Sequence, residues 1–149
     1  MQSASLPSTG WTLHDWQQAY RSAACTPEIL FELLAQLSTD DPAWISLASA
    51  EQLREQLDAL EQRRAAVEGE LARLPLYGVP FAIKDNIDAA GWQTTAACPE
   101  FAYLAERDAT TVAQLRAAGA VLLGKTNLDQ FATGLVGTRS PYGDRKSVV

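Results

Sequence analysis

The chain has 149 residues, of which 47% are hydrophobic and 20% are charged, and its formal net charge at pH 7 is −6. This length and composition predict one soluble, globular domain with a real hydrophobic core. The charge argues against nucleic acid as a partner, because phosphate binding needs clustered lysine and arginine. No apolar run approaches the roughly 20 residues of a membrane span.

The N-terminal residues and the cysteines indicate the cellular compartment of the protein. The first ten residues lack both the basic start and the apolar core of a secretory signal. Cys25 and Cys98 are far apart in the sequence, so we expect two thiols and neither a disulfide nor a metal site. Both features favour a cytoplasmic protein.

The first half of the chain is predicted to be mainly helical. Thr12, followed three residues later by Asp15, predicts a capped helix start, and Thr26-Pro27 predicts the start of a second helix. A short strand is predicted at residues 44–48. The longest predicted helix covers residues 49–74, where leucines recur at helical spacing and Glu and Arg fill the other faces. Those charged faces are typical of solvated surface, although they leave open a partner-binding role.

The second half alternates strands with helices. Residues 79–83 predict a strand, residues 108–119 a helix that ends at a glycine, and residues 120–124 a buried strand. Thr126 or Asn127 is predicted to cap a further short helix. This order predicts an α/β fold with a mainly parallel sheet. We therefore divide the chain into a helical part, 10–74, and an α/β part, 75–143.

Lys84 is the strongest candidate for chemistry. It ends the apolar 79–83 strand, and a lysine is rarely buried unless it is paired or takes part in function. The alternative is a structural lysine paired with Asp85 or another carboxylate. Asp85 and Asn86 are expected to organise the turn behind Lys84 through side-chain hydrogen bonds to the backbone.

The segments Gly78-Val-Pro-Phe-Ala-Ile-Lys-Asp-Asn86 and Gly124-Lys-Thr-Asn-Leu-Asp-Gln-Phe-Ala-Thr-Gly134 resemble the amidase signature family. The segments at 94–103 and 135–143 look most like the allophanate hydrolases of that family. The resemblance extends from about residue 10 to residue 143. It implies the N-terminal part of the amidase signature fold, a mixed sheet flanked by helices.

The resemblance also implies a mechanism. In the family, the lysine at the position of Lys84 works with two serines, a relay serine held by a cis peptide and a nucleophilic serine that forms an acyl-enzyme. Backbone N–H groups stabilise the oxyanion, and neither metal nor another cofactor is needed. No serine of this chain stands in the matching Gly-Gly-Ser-Ser-Gly setting. We therefore expect the chain to be a piece of an amide hydrolase that is inactive by itself.

The resemblance places the loop at residues 131–140 beside the pocket for a small-molecule amide. Gly134 and Gly137 would let main-chain groups approach the substrate, and Arg139 would attract an anion such as allophanate. The alternatives are that Gly134 only ends a helix and that Arg139 is an ordinary exposed arginine.

Two other catalytic interpretations are disfavoured. Gly119-Ala-Val-Leu-Leu-Gly-Lys-Thr126 imitates a phosphate-binding loop, but its four middle residues predict a buried strand. His14 is the only histidine and has no nucleophile near it in sequence, so serine–histidine catalysis and histidine metal sites lack support.

Residues 144–149 depart from the family pattern. Asp144-Arg-Lys-Ser-Val-Val149 matches one reading frame of a common sequencing adapter, and we predict that this tail is non-native. Rival functions are a general amidase, one chain of a glutamine amidotransferase, and a non-catalytic module that binds a partner through its charged helix. For the parent enzyme the resemblance leaves open a homodimer or a fusion to a biotin-dependent urea carboxylase.

Overall fold

The computed structural model describes residues 10–143, and the predicted non-native tail lies outside them. The helices are α1 (Leu13–Arg21), α2 (Ile29–Ala35), α3 (Ala50–Ala66) and α4 (Thr110–Ala117). The strands are β1 (Trp44–Leu47), β2 (Pro80–Lys84), β3 (Gln93–Thr94), β4 (Tyr103–Leu104) and β5 (Val121–Thr126). Short 3₁₀ helices lie at Leu71–Arg73, Pro99–Phe101 and Gln130–Ala132. No helix in this part of the chain is long and apolar enough to cross a membrane.

The described residues form two compact units, each built from separate stretches of chain. The first unit contains the stretch that ends at Gln36, together with Ala48–Phe81 and Leu115–Leu122. The second contains Leu37–Leu47, Ala82–Gln114 and the stretch that begins at Leu123. The division into 10–74 and 75–143 stays a prediction about domain organisation.

The three central strands form a sheet in the order β1-β5-β2. β1 is antiparallel to β5. β2 runs parallel to β5, because the Val121 N–H donates to the Val79 carbonyl at 2.9 Å and the Asp85 N–H donates to the Thr126 carbonyl at 3.0 Å. β3 and β4 form a separate antiparallel pair. A small mixed sheet with helices confirms the predicted α/β class.

Two helices start where the sequence predicts, and each start is a capping box. At α1, the Thr12 side chain accepts a hydrogen bond from the Asp15 N–H and the Asp15 carboxylate accepts one from the Thr12 N–H. At α3, Ser49 and Gln52 make the same reciprocal pair. Each capping box pairs N–H groups that have no partner within the helix.

Two helix boundaries differ from the predictions. α2 begins at Ile29, with Glu28 at its N-cap, and not at Thr26. α3 ends at Ala66 and does not continue to Leu74, because Glu68 and Gly69 adopt positive φ angles of 54° and 77°. A left-handed backbone conformation cannot continue a right-handed helix.

The core of the first unit is built around α1, α3 and β5. The rings of Trp16 and Tyr20 stack at 5.9 Å, and Tyr20 meets Tyr77 edge-on at 5.4 Å. α3 buries its predicted leucine stripe, namely Leu53, Leu57 and Leu60. Val121 and Leu122 at the start of β5 are also buried, as the sequence pattern at 120–124 predicts. A buried strand cannot wrap phosphates, so the structure supports the rejection of a phosphate-binding loop.

Candidate functional site

Lys84 is the last residue of β2. The prediction that the strand delivers this lysine into a buried place is wrong for the described residues, because the Lys84 side chain is exposed. Side chains alternate across a strand, so its neighbours Ile83 and Asp85 are buried instead. The exposure leaves the proposed catalytic role of Lys84 as a prediction.

The buried lysine of this region is Lys125, near the end of β5, whose side chain is fully enclosed. Its Nζ lies 3.2 Å from Asp85 Oδ1 and donates to the Gln93 carbonyl at 2.9 Å and to Thr94 Oγ1 at 3.1 Å. The ammonium group thus has two hydrogen-bond acceptors and one ion-pair partner. Burial lowers the pKa of Lys125, although the Asp85 carboxylate opposes that shift.

Asp85 has hydrogen-bond partners at its N–H, its carbonyl and Oδ2, while its Oδ1 makes only the ion pair with Lys125. Its N–H donates to the Thr126 carbonyl, its carbonyl accepts from the Ala96 N–H at 3.2 Å, and its Oδ2 accepts from the Thr95 N–H at 3.0 Å. The Thr95 hydroxyl also donates to Oδ2. The side chain of Asp85 contacts Thr95 and Lys125, which lie outside the turn that follows Lys84. The expectation that Asp85 and Asn86 organise this turn therefore stays a prediction. The alternative that Lys84 pairs with Asp85 is not supported, because Asp85 pairs with Lys125.

A polar branch extends from this cluster to the surface. The hydroxyls of Thr94 and Tyr103 both donate to Asp88 Oδ1, each at 2.7 Å. These two hydrogen bonds, first that of Tyr103 and then that of Thr94, lower the pKa of the Asp88 carboxyl. The Thr94 hydroxyl thus bridges Lys125 and Asp88.

The loop with the predicted substrate-binding residues is organised by Asp129. Its carboxylate accepts from the Gly137 N–H at 2.9 Å and from the Arg139 N–H at 2.7 Å, and it packs against Gly134. The structure therefore brings Gly134, Gly137 and Arg139 together around one buried side chain, whereas Lys84 belongs to a different segment. The Arg139 side chain is exposed, and Gly137 has a φ of 74°.

A second buried side chain, Asn127, closes the same loop. Its Nδ2 donates to the Pro42 carbonyl at 2.9 Å and to the Gly143 carbonyl at 3.2 Å, and its Oδ1 accepts from the Ser140 hydroxyl at 2.5 Å. The sequence predicts Asn127 as a possible helix cap. The amide instead joins three separate stretches of chain.

The short α-helix predicted after Thr126 is replaced by the single 3₁₀ turn at Gln130–Ala132. Phe131 and Ala132 have positive φ angles of 53° and 56°, as do Ala96 and Ala97 with 51° and 58°. The two strained pairs are joined, since the Phe131 N–H donates to the Ala96 carbonyl at 2.9 Å. Such left-handed conformations cost energy in non-glycine residues and persist only where surrounding contacts hold them.

Sequence reasoning missed Lys125, Asp129 and Asn127 as organising residues. Lys125 follows an apolar strand just as Lys84 does, and that pattern was the available signal. For Asp129 and Asn127 no local signal distinguishes a buried hydrogen-bonding role from an ordinary turn or cap. Within residues 10–143, no cluster of His, Cys, Asp and Glu is arranged to hold a metal ion.

Comparisons with known proteins give this arrangement a context. The family model described as Amidase matches residues 28–146. The urea amidolyase of Saccharomyces cerevisiae is 51% identical over 140 residues, which cover 91% of this chain and 7% of the relative. A glutamyl-tRNA(Gln) amidotransferase chain of Symbiobacterium thermophilum is 42% identical over 82% of this chain and 25% of its own length.

A solved structure, that of Kluyveromyces lactis allophanate hydrolase, superposes with a TM-score of 0.80 and 51% identity. It covers 90% of this chain, which spans 22% of that protein. The chain thus has the fold of one part of these longer relatives. By the family match and by these identities, the chain belongs to the amidase signature family.

Proposed function

We propose that this chain supplies the lysine-bearing part of a hydrolase that cleaves a linear amide C–N bond, with allophanate as the substrate. The observation that carries the proposal is Lys84 at the end of β2, followed by a buried Asp85 that bonds to Thr95 and pairs with Lys125, in a chain 51% identical to an allophanate hydrolase.

In this proposal the neutral amine of Lys84 accepts a proton through a relay serine from a nucleophilic serine. The serine then attacks the amide carbonyl and forms an acyl-enzyme, which water hydrolyses. Neither serine has a matching position among the 149 residues. By itself the chain should therefore not turn over amides.

A lysine amine becomes neutral near pH 7 only when burial lowers its pKa, whereas the Lys84 side chain is exposed here. We propose that further protein, of the kind present in the longer relatives, covers this face. Exposed apolar side chains support the idea. The rings of Phe101 and Phe131 meet at 5.4 Å while both are about half exposed, and Leu135 in the predicted pocket loop is fully exposed. Large apolar side chains left exposed in this unit are what a contact with further protein would cover.

Gly134, Gly137 and Arg139 are proposed to contact the substrate from the loop that Asp129 organises. The main chain is already fixed there by the hydrogen bonds to Asp129, so it would be preorganised for a small polar amide. Arg139 keeps an exposed guanidinium that can meet the carboxylate of allophanate.

The experiment is ammonia release by the complete gene product, offered allophanate, simple amides and glutamine in turn. We expect allophanate to be the preferred substrate and Lys84→Ala to lower kcat by about 10²–10⁴-fold, the usual contribution of a positioned acid–base group. Arg107→Ala is the matched control, because Arg107 is another exposed cation of the same unit. Preference for glutamine or simple amides would favour the amidotransferase or general amidase alternative. Normal turnover after Lys84→Ala would refute the proposal.

A further inference from the structure

The buried Lys125 connects the segment behind Lys84 to the next strand. Its ammonium group holds Asp85, which directly follows Lys84, and at the same time the Gln93 carbonyl and the Thr94 hydroxyl of β3. The three contacts come from two separate segments of one unit. Removing the ammonium would break these three contacts and leave Asp85 joined to the residues after β3 only through Thr95 and Ala96.

The link from Asp85 to Lys84 passes through the backbone. The peptide between them is fixed on its far side by the Asp85 N–H bond to Thr126, and the Lys84 carbonyl accepts from the Ile87 N–H at 2.9 Å. Both polar groups of the peptide, the Lys84 carbonyl and the Asp85 N–H, therefore have hydrogen-bond partners. This backbone sets the Cα–Cβ direction of Lys84, and with it the point from which the side chain extends.

The location of the Lys125–Asp85 ion pair indicates a role in positioning Lys84. A fully enclosed ion pair gains little net stability over apolar residues of similar volume, since desolvation offsets the Coulomb attraction. What such a pair provides is a fixed geometry, because each charge must find its partner. Here the fixed geometry lies immediately behind the residue proposed to move the proton.

We propose that Lys125 is a positioning residue that sets the orientation of Lys84 through Asp85. The proposal rests on the proposed function of Lys84, to which it adds a residue that touches neither substrate nor reacting atoms. A misplaced reacting group can cost about 10²-fold in rate, so the effect belongs in kcat and not in KM.

The first test measures the geometry and needs no enzymatic activity. Amide hydrogen exchange is followed in this chain for the wild type, for Lys125→Met and for Leu122→Ala. Leu122 is equally buried but belongs to the other unit, so it is the control for general loss of stability. In Lys125→Met we expect the Asp85, Ile87, Thr95 and Ala96 amides to exchange at least about tenfold faster than the change in global stability accounts for. In Leu122→Ala these amides should follow global stability.

The second test uses the complete gene product and allophanate. We expect Lys125→Met to lower kcat about 10- to 100-fold with KM within about twofold of the wild type, and Lys125→Arg, which keeps the charge, to recover part of kcat. If Lys125→Met does not fold, Thr94→Val tests the proposal instead. This variant removes one acceptor of the Lys125 ammonium group and keeps the side-chain volume. We expect this variant to lower kcat in the same direction.

The outcomes separate the two proposals. If the wild type shows no amide hydrolysis but the local exchange effect is present, the proposed function fails and the positioning of the Lys84 segment stands. If hydrolysis depends on Lys84 but the Lys125 variants change exchange only as much as the Leu122→Ala control and leave kcat normal, Lys125 is merely structural and this inference is overturned.

Discussion

The carboxylate of Asp129 occupies the space beside Gly134 where any other residue would carry its side chain. A Cβ built on Gly134 would lie 2.5 Å from Asp129 Cγ, which is closer than real Cβ contacts occur. The same carboxylate holds the N–H groups of Gly137 and Arg139. Gly134 is therefore required by a side-chain contact that fixes the loop, in addition to any role at a helix end or in a pocket.

We predict that Gly134→Ala destabilises the protein by about 1–3 kcal/mol, because the new methyl group must push the carboxylate away from its two N–H donors. Urea unfolding of the variant and the wild type measures the difference in free energy. The matched control is the same change in an Asp129→Ala background. There the clash is absent, so Gly134→Ala should cost much less, and an equal cost in both backgrounds would contradict the explanation.

Gln56 on α3 pairs with the main chain of Leu122 on β5 as a neighbouring strand would. Its Nε2 donates to the Leu122 carbonyl at 2.8 Å, and its Oε1 accepts from the Leu122 N–H at 2.9 Å. We predict that Gln56→Leu lowers the free energy of unfolding by about 1–3 kcal/mol, since it leaves two partly buried backbone groups without partners. Chemical denaturation is the measurement. Gln62→Leu, at an exposed position of the same helix, should be nearly neutral, and equal stability of the two variants would disprove the role of Gln56.

Tyr20 gives the protein an alkaline limit of stability. Burial raises the pKa of Tyr20 far above its ordinary value of 10.0, and its hydroxyl donates to the Gly78 carbonyl at 2.9 Å. Above pH 10 the unfolded state loses this proton while the folded state keeps it, so stability falls as pH rises beyond the unfolded pKa. Below pH 10 the two states hold the same proton and the contribution is constant.

We therefore predict that Tyr20→Phe costs about 0.5–1.5 kcal/mol at pH 7, from the lost hydrogen bond, and that this deficit shrinks as pH rises above 10. Urea unfolding of both proteins at pH 7, 9 and 10.5 is the measurement. Lys125 is present in both proteins and cancels in the comparison, and the titration of Tyr77, whose ring meets Tyr20 edge-on, is followed separately in each protein. A deficit that stays constant or grows up to pH 10.5 would count against this account.

Local signals in the sequence determined the starts of α1 and α3, the buried strand β5 and the α/β class. Capping boxes and apolar runs act between residues close in the chain, so they can be recognised without the fold. The motifs around Lys84 and at 124–134 determined the family. The turn at Gln130–Ala132 could not be predicted, because it depends on non-glycine residues in left-handed conformations, at Phe131 and Ala132. At the end of α3, Gly69 was a local stop signal, whereas the left-handed Glu68 was not.

Lys84 and Lys125 show most clearly what the sequence determines and what only the tertiary structure determines. Lys84 and Lys125 each follow an apolar strand segment, and the sequence treats them alike. Only the tertiary structure decides that Lys125 is enclosed and that Lys84 is exposed, because enclosure depends on Asp85, Gln93 and Thr94 arriving from elsewhere in the chain. Desolvation and charge pairing act through space, so no pattern along the chain determines which lysine they select.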